Sequence, residues 1–357
     1  MSTVKEMNAL VFHDSGDAAV KSIPLPELRP TYMLIKVDSV ALNPTDFKHI
    51  TYGSSDAPVS VVGCDYSGTV LEIGAEVTKQ FKIGEKVFGC AHGSHFTETY
   101  SGVFAEYALV KGDVTMHAPT DPDAGLGMDD LATLPLGCIT VGQGLFQPGK
   151  GLSLNFPEAG KGNGEWVLIY GGSTATGTLG IQFAKLAGYS VVTTCSPRNN
   201  DLVKSRGADK IFDYNDPECG AKIRAFTENN LKYAWDTVGE SPHICAEALS
   251  SDSSICRYGT ILDNEFPRSD VKHTATEMYT MFGEYYFKYE QHFPVLEEDY
   301  EFAKTWMTLV EKLVAEGKIK PHPKRLESGG IHGILNGLKD LEEEKVRGQK
   351  LVYKISE

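Results

Sequence analysis

The sequence predicts an α/β protein that combines a doubly wound parallel sheet with a second, β-rich domain. The first observation is a strand–turn–helix–strand pattern over residues 166–194, in which a Gly-rich turn joins a buried strand to a helix. The second is a change near residue 136, where short apolar runs give way to alternating strands and helices. Alternation favours a parallel sheet, and frequent short strands favour a barrel.

The Gly-rich turn follows the apolar strand Trp166–Tyr170 and reads Gly171, Gly172, Ser173, Thr174, Ala175, Thr176 and Gly177. Adjacent glycines allow a tight turn and a close approach of the backbone to a pyrophosphate. The hydroxyls and N–H groups that follow lie at a helix N-terminus, where the helix dipole favours anions. Thr174 replaces the second glycine of the full fingerprint. The turn predicts a nucleotide site, the alternative being an ordinary turn of a parallel sheet.

The end of the second strand, Ser190–Thr194, indicates which dinucleotide fits. NAD-binding units place an acidic residue there for the ribose hydroxyls, whereas this chain has no acid before Asp201. Ser196 and Arg198 suit a 2′-phosphate, because Arg offers forked donors to phosphate oxygens. We therefore predict NADPH as the cofactor, the alternative for Arg198 being a solvated loop residue.

Residues 1–135 are predicted to be β-rich, because short apolar runs recur between Gly and Pro. The runs are Ala9–Phe12, Met33–Leu42, Gly68–Ile73, Lys86–Gly89 and Phe104–Val110. Later strands of the parallel sheet are predicted at Ala234–Val238 and Gly259–Leu262. An amphipathic helix is predicted at 301–317, followed by strands at Lys318–His322 and Gln349–Ile355.

Composition excludes several classes of protein. The 357 residues are 41% hydrophobic and 23% charged, which is ordinary for a globular chain long enough for two domains. A net charge of −14 argues against general binding to nucleic acid or anionic membranes. No apolar run reaches the roughly 20 residues of a membrane span, and the N-terminus lacks a signal-peptide core. Seven scattered cysteines without a CxxC pair predict reduced thiols and a cytoplasmic location.

Several short motifs occur in a fixed order along nearly the full chain. They are Asn43–Asp46, Gly63–Gly68, Gly84–Val87, the Gly-rich turn, Arg206–Asp209 and Gly348–Val352. In this order and spacing the chain resembles the medium-chain dehydrogenase/reductase superfamily. The resemblance implies a Rossmann-type NADPH-binding domain over 136–317. It also implies a GroES-like catalytic β-barrel domain built from both ends of the chain, 1–135 with 318–357.

Zinc alcohol dehydrogenases of this superfamily carry Cys where this chain has Asn43, and His-Glu where it has Cys64-Asp65. Because an amide is a poor zinc ligand, we expect no catalytic zinc. The four-cysteine structural zinc lobe is also missing. Cys90, His92 and His95 form a C-x-H-x-x-H pattern without an obvious fourth ligand, which we interpret as an ordinary loop. The chain thus resembles the zinc-free quinone and enoyl reductases.

A second set of motifs consists of the Gly-rich turn, Thr194–Pro197, Asp201–Ala208, Phe212–Tyr214 and Phe282–Glu284. With these, the chain most resembles the trans-acting enoyl reductases of fungal polyketide biosynthesis. Such enzymes act on enoyl chains carried by the acyl-carrier domain of a separate polyketide synthase. The resemblance implies hydride transfer from NADPH to the β-carbon of an α,β-unsaturated thioester, with a proton delivered to the α-carbon.

This implied reaction needs donors for the enolate and a source of the proton. Lys48, two residues after the Asn43–Asp46 motif, is the first candidate, its alternative being a surface lysine. By resemblance the Thr140 hydroxyl faces the nicotinamide, the alternative being a helix cap. Asn43 is assigned to positioning the nicotinamide or the substrate instead of a metal. Tyr214 is assigned either to the adenosine phosphate or to packing at a strand end.

The aromatic stretch 278–289 is interpreted either as the wall of an acyl pocket or as the cover of a sheet edge. In dimeric relatives a strand near this region pairs across two subunits. A bulky segment there blocks the edge, so we expect a monomer. Two basic clusters are candidates for docking an acidic carrier domain or are simply solvated. They are Lys318, Lys320, Lys324 and Arg325, and Lys345, Arg347 and Lys350.

Three other functions stay open from the sequence. The chain is alternatively an NADPH quinone oxidoreductase that acts on free small molecules. A diverged relative that catalyses a late pathway step such as cyclisation is the second alternative. The third is a non-catalytic NADPH-binding protein.

Overall fold

The structure is a computed structural model that describes residues 5–14, 17–52, 59–121, 125–157, 160–288 and 291–356. Its contacts divide the chain into two compact units, Met1–Leu136 with Tyr279–Glu357, and Gly137–Met278. Residues 279–317, which the sequence-based division places in the nucleotide-binding domain, pack with the first unit. One reason is a 2.6 Å ion pair between Glu311 and Lys79.

The elements of the first unit up to residue 136 are mostly strands. They are β1 (Glu6–Asp14), β2 (Asp17–Pro24), β3 (Tyr32–Ala41), α1 (Pro44–Tyr52), β4 (Ser60–Val61), β5 (Asp65–Ile73), β6 (Lys86–Cys90), β7 (Tyr107–Lys111), β8 (Met116–His117) and α2 (Met128–Leu131). Helix α3 (Pro135–Val141) begins at the end of this segment.

The second unit alternates strands and helices. They are β9 (Trp166–Tyr170), α4 (Ala175–Leu186), β10 (Ser190–Thr194), α5 (Asn200–Ser205), β11 (Lys210–Phe212), α6 (Cys219–Phe226), β12 (Tyr233–Asp236), α7 (Pro242–Ala248), β13 (Arg257–Thr260) and β14 (Lys272–Ala275). The chain then returns to the first unit with β15 (Tyr286–Lys288), β16 (Gln291–Phe293), α8 (Glu297–Ala315), β17 (Lys324–Glu327), α9 (Gly330–Glu342) and β18 (Lys350–Lys354).

The sheet of the second unit is parallel and confirms the predicted fold class. Its strands lie in the order β11-β10-β9-β12-β13-β14. Counted along this unit, that order is 3-2-1-4-5-6, the arrangement of dinucleotide-binding sheets. The run Trp166–Tyr170 is almost wholly buried, as expected for a strand covered on both faces. The order reverses between β9 and β12, so ligands are expected at the carboxyl ends of these two strands.

The main sheet of the first unit is built from both ends of the chain. Its order is β17-β18-β3-β5-β6-β8, and β7 also pairs with β3. Strand β18 runs antiparallel to β3, with Val352 opposite Ala41. An apolar cluster that includes Met33, Tyr66 and Leu351 forms the core. This pairing places the start of β18 and the start of β5 on either side of the end of β3.

Two local predictions need correction. The strand predicted at Lys318–His322 is wrong, and the strand of this region is β17, Lys324–Glu327. Pro321 and Pro323 lack the backbone N–H that a sheet ladder requires, so the strand begins only after them. Helix α9 was not predicted.

No helix within the described ranges is long and apolar enough to cross a membrane.

Candidate active site

The Gly-rich turn of the second unit requires its glycines. Gly171 follows β9 with a φ of +78°, a conformation that other residues rarely adopt. A Cβ on Gly172 would lie 2.0 Å from Thr193 Oγ1, and one on Gly177 would lie 2.3 Å from the carbonyl oxygen of Gly171. The backbone of the turn therefore packs so closely against its surroundings that no side chain fits at Gly172 or Gly177. An open cradle results at the carboxyl end of β9.

Thr174, which replaces the expected glycine, is the N-cap of α4. Its Oγ1 accepts a 2.8 Å hydrogen bond from the N–H of Gly177 and lies 3.1 Å from Thr237 Oγ1. Its own N–H donates to the carbonyl oxygen of Gly171. Both polar groups of Thr174 are therefore engaged in shaping the turn, contrary to the expectation that its hydroxyl is offered to phosphate.

The cradle fits a dinucleotide phosphate. Ser173, Ala175 and Thr176 are half-buried at the N-terminus of α4, a twelve-residue helix whose dipole favours an anion there. Thr237 follows β12 and donates to the carbonyl oxygen of Tyr170 at 2.8 Å, so it joins the two strands at the point where their order reverses. Sequence reasoning missed Thr237, which the predicted strand Ala234–Val238 included, whereas the observed strand ends at Asp236 and leaves Thr237 at this edge of the sheet.

The structure brings two of the predicted cofactor residues together at the end of β10. The hydroxyls of Ser196 and Tyr214 lie 3.0 Å apart, and Tyr214 is 40% exposed. Arg198 is exposed on a short 3-10 turn that follows Ser196. Strand β10 has no acid at its end, but Asp213 follows the neighbouring strand β11. Burial, together with the nearby carboxylate of Asp213, raises the pKa of Cys195 to about 11.

In the first unit, Asn43 and Asp46 open helix α1 directly after β3. The N–H of Asn43 donates to Asp46 Oδ2 at 2.7 Å, and the N–H of Asp46 donates to the carbonyl oxygen of Asn43 at 3.0 Å. Asp46 is 1% exposed. Its burial raises its pKa to about 7, although the Asn43 N–H opposes this shift. The first turn of α1 is thus fixed by a buried acid.

Asp65, at the start of β5, is the centre of a buried polar network. Its Oδ2 accepts from Asn43 Nδ2 at 2.9 Å and from the ammonium of Lys350, and its Oδ1 accepts from the Leu136 N–H at 2.7 Å. The Lys350 ammonium also donates to the carbonyl oxygen of Thr133. Asp65 and Lys350 are 0% and 4% exposed. The lysine thus provides a buried positive charge beside the predicted site residue Asn43.

The predicted catalytic residues lie in different units. Lys48 is half-buried on α1, and it has no hydrogen-bond or ion-pair partner among the described residues of its unit. Thr140 is half-buried near the end of α3, in the second unit. A π-helical turn, Gly142–Phe146, follows it directly. Such turns interrupt regular helices and occur frequently at functional sites.

An aromatic and histidine cluster lies next to α1. The ring of Tyr279 stacks on that of His92 at 3.9 Å, and the rings of His92 and His95 are 4.3 Å apart. Tyr279 and Tyr286 are 3% and 1% exposed. This part of the aromatic stretch therefore belongs to the packed interior of the first unit. Position 289, at its predicted end, lies outside the described residues.

The candidate metal donors Cys90, His92 and His95 are not arranged as a metal site. His95 Nδ1 accepts from the N–H groups of Thr97 and Glu98 at 3.1 Å each. Among the described residues, no group of three or more His, Cys, Asp and Glu side chains is arranged to hold a metal ion. All seven cysteines are buried thiols outside any disulfide.

Most cations of the two predicted basic clusters pair with acids of the same unit. Lys324 pairs with Asp129 and Asp130 at 2.9 and 2.6 Å, and Arg325 pairs with Glu327. In the second cluster, carboxylates pair with each cation: Lys345 with Glu343, Arg347 with Glu344, and Lys350 with Asp65. Counting Lys350 as a surface cation was wrong, because its ammonium is the buried partner of Asp65.

Comparison with known domain families agrees with the fold. Residues 29–120 match the alcohol dehydrogenase GroES-like domain, and residues 175–293 match the zinc-binding dehydrogenase family. The quinone oxidoreductase of Coxiella burnetii superposes with a TM-score of 0.72 at 25% identity, covering 99% of this chain and 100% of that chain. The fold and these matches define a medium-chain dehydrogenase/reductase.

Two curated relatives narrow this class. A trans-enoyl reductase of Alternaria alternata is 43% identical over 350 residues, covering 97% of this chain and 98% of the relative. A trans-enoyl reductase of Aspergillus sclerotiorum is 39% identical over 368 residues, covering 98% and 100%. The chain therefore belongs to the trans-enoyl reductase family, and its cofactor is a nicotinamide dinucleotide.

Proposed function

We propose that this protein is an NADPH-dependent enoyl reductase that acts in trans with a polyketide synthase. The observation that carries the proposal is the full-length similarity to trans-enoyl reductases, at 43% identity over 97% of the chain. The phosphate cradle at Gly171–Gly177 and the half-buried cation Lys48 supply the two features that such a reaction needs. The substrate is an α,β-unsaturated acyl thioester on the carrier domain of the synthase.

The proposed reaction defines which chemical groups the two units must supply. The bound cofactor supplies a hydride for the β-carbon, while the π electrons of the double bond move toward the thioester oxygen. Negative charge then develops on that oxygen, and the α-carbon takes a proton from water as the carbonyl forms again. Groups that meet this charge only in the transition state accelerate the reaction most.

We assign stabilisation of the enolate to Lys48. The residue is half-buried and its ammonium has no carboxylate partner among the described residues of its unit, so its charge is not already neutralised. Asn43 is assigned to positioning, because its Nδ2 is held by Asp65 at 2.9 Å and its side chain is thereby oriented. Thr140 is assigned to the nicotinamide end of the cofactor, on a helix that ends in a π-helical turn.

We assign the cofactor's pyrophosphate to the cradle and its 2′-phosphate to the end of β10. Gly171, Gly172 and Gly177 give the backbone the room, while Ser173, Ala175 and Thr176 lie at the N-terminus of α4. Ser196 and Tyr214 place their hydroxyls 3.0 Å apart, and Arg198 is exposed two residues after Ser196. This set favours NADPH over NADH.

Docking of the carrier domain is not assigned to the two basic clusters, because carboxylates of the same unit pair with most of their cations. We propose a monomer of 39.0 kDa, and a light-scattering mass near twice this value contradicts it. We also propose a cytoplasmic location, where seven buried thiols stay reduced.

The test is steady-state oxidation of NADPH with a panel of enoyl thioesters and with a quinone. We expect turnover of an enoyl thioester at a higher kcat/KM than any quinone. Lys48→Ala is expected to lower kcat about 100-fold and Thr140→Val about tenfold, while the control Lys36→Ala, an exposed lysine on β3, is unchanged. Faster reduction of a quinone favours the quinone oxidoreductase alternative. An enzyme that oxidises NADPH with neither substrate class contradicts the proposal.

A further inference from the structure

Tyr279 joins helix α1 to the middle of the first unit's sheet. It is 3% exposed and lies in the 3-10 turn Met278–Phe282. Its hydroxyl is 2.9 Å from Thr45 Oγ1, in the first turn of α1, and 3.5 Å from Cys64 Sγ, the residue before β5. One buried phenol thus contacts two elements that are distant from it in sequence.

The ring of Tyr279 is fixed on its faces as well. His92 stacks on it at 3.9 Å with an interplanar angle of 14°, and the Lys288 ammonium lies 4.7 Å from the ring centre. The ring of His49, on α1, is 5.8 Å away. Burial holds the pKa of both histidines well below the usual value, and the charge of Lys288 adds to this effect. Both rings are therefore neutral neighbours of Tyr279 near pH 7.

The segment that carries Tyr279 is anchored by Glu284. Its carboxylate accepts from the guanidinium of Arg29 and the ammonium of Lys111, both at 2.9 Å, and from the hydroxyl of Tyr32 at 2.7 Å. The cations Arg29 and Lys111 and the Tyr32 hydroxyl hold the pKa of Glu284 below its usual value although burial opposes them. This anchor holds the backbone five residues after Tyr279 against β3 and β7.

Thr45 and Lys48 are three residues apart on α1, and Thr45 and His49 are four apart. Residues at these spacings lie on the same face of a helix. Tyr279 therefore contacts the helix face from which Lys48 projects. A bond to Thr45 in the first turn restrains the rotation of that face, and with it the direction of the lysine side chain.

We infer that Tyr279 is a positioning residue: its phenol holds the first turn of α1 through Thr45 and thereby orients the Lys48 ammonium. The inference rests on the proposed function, in which Lys48 stabilises the enolate. A displacement of about 1 Å of the Lys48 ammonium is expected to lower the rate without changing cofactor binding.

The test compares Tyr279→Phe with Lys48→Ala and with the double variant, using one enoyl thioester and NADPH. Tyr279→Phe removes only the hydroxyl, so we expect kcat to fall about tenfold while the KM for NADPH stays within about twofold. Thr45→Val removes the same bond from the other side and is expected to give the same loss. In the Lys48→Ala background, Tyr279→Phe is expected to cause no further loss, since it acts through Lys48.

Tyr286→Phe is the matched control, because Tyr286 lies in the same cluster and its ring contacts His92, His95 and Phe293. Its activity is expected within about twofold of the parent. As a readout besides activity, amide hydrogen exchange in residues 44–52 is expected to rise in Tyr279→Phe and not in Tyr286→Phe.

The outcomes separate the two proposals. If Lys48→Ala keeps full turnover, its assigned role is overturned and the inference falls with it. If Lys48→Ala is slow but Tyr279→Phe and Thr45→Val retain the parent rate, only the inference is overturned. Multiplicative losses in the Lys48→Ala/Tyr279→Phe double variant also overturn it, because Tyr279 then acts independently of the lysine.

Discussion

The side-chain amide of Asn43 donates a 2.9 Å hydrogen bond to Asp65, whose carboxylate also receives the buried ammonium of Lys350. Zinc alcohol dehydrogenases of the superfamily have a metal ligand at the position of Asn43, and this chain instead places an amide beside an internal ion pair. The pair joins the start of β5 to the start of β18. Its integrity therefore stabilises the junction of these two strands and fixes the orientation of Asn43.

The first prediction concerns this ion pair. Lys350→Met leaves Asp65 charged and buried without its cation, so we expect the free energy of unfolding to fall by about 3–5 kcal/mol. Lys354→Met, on the exposed end of the same strand, is the control and is expected to change it by less than about 0.5 kcal/mol. Urea unfolding followed by circular dichroism measures both. Equal effects of the two variants contradict a special role for Lys350.

The second prediction concerns the pH dependence caused by Asp46. Burial raises its folded-state pKa to about 7, whereas the unfolded value is near 4. Between these values the folded state binds more protons, so the free energy of unfolding falls as pH rises. The stabilisation is complete below about pH 4 and is lost through about pH 7. Asp46→Asn carries no charge and removes this dependence.

The measurement is urea unfolding of the parent and of Asp46→Asn at pH 5, 6, 7 and 8. The parent is expected to lose about 2.6 kcal/mol of stability relative to the variant across this range. Other titrating groups are common to both proteins and cancel in the difference. A difference that does not change with pH contradicts the raised pKa of Asp46.

The third prediction concerns cofactor choice. Arg198→Ala removes a forked donor for the 2′-phosphate, so we expect the KM for NADPH to rise about tenfold while the KM for NADH changes little. Tyr214→Phe, which breaks the 3.0 Å contact with Ser196, is expected to give a smaller rise in the same direction. Lys204→Ala, an exposed cation on α5, is the control. A parallel rise for both cofactors shows that Arg198 does not recognise the 2′-phosphate.

The fourth prediction concerns the carrier domain. Because carboxylates pair with most cations of both basic clusters, association is expected to depend weakly on ionic strength. We expect the KM for a carrier-bound substrate to change less than about threefold between about 50 mM and about 500 mM salt. A steep rise in KM with salt shows that unpaired surface cations attract the carrier instead.

Much of the nucleotide-binding half is predictable because its signals are local. The strand Trp166–Tyr170, the Gly-rich turn and helix α4 follow one another directly, and the turn's backbone geometry is set by the glycines themselves. The N-cap role of Thr174 has the same local origin, since its hydroxyl accepts from Gly177 three residues on. What sequence reasoning missed there is Thr237, which reaches the turn only because β12 lies beside β9.

In the first unit the informative contacts are distant in sequence. Lys350 and Asp65 are separated by 285 residues, and Tyr279 and Thr45 by 234. No local pattern distinguishes a buried lysine from the surface cations near it, or one tyrosine from the other aromatic residues of 278–289. The sequence alone determined the fold class and the Gly-rich turn between β9 and α4, because short-range geometry encodes them, whereas the roles of the cradle and of Lys48 stay predictions. Only the tertiary structure showed which cation pairs with Asp65 and which side chain contacts the first turn of α1. These contacts depend on how distant segments such as β18, β3 and β5 come together.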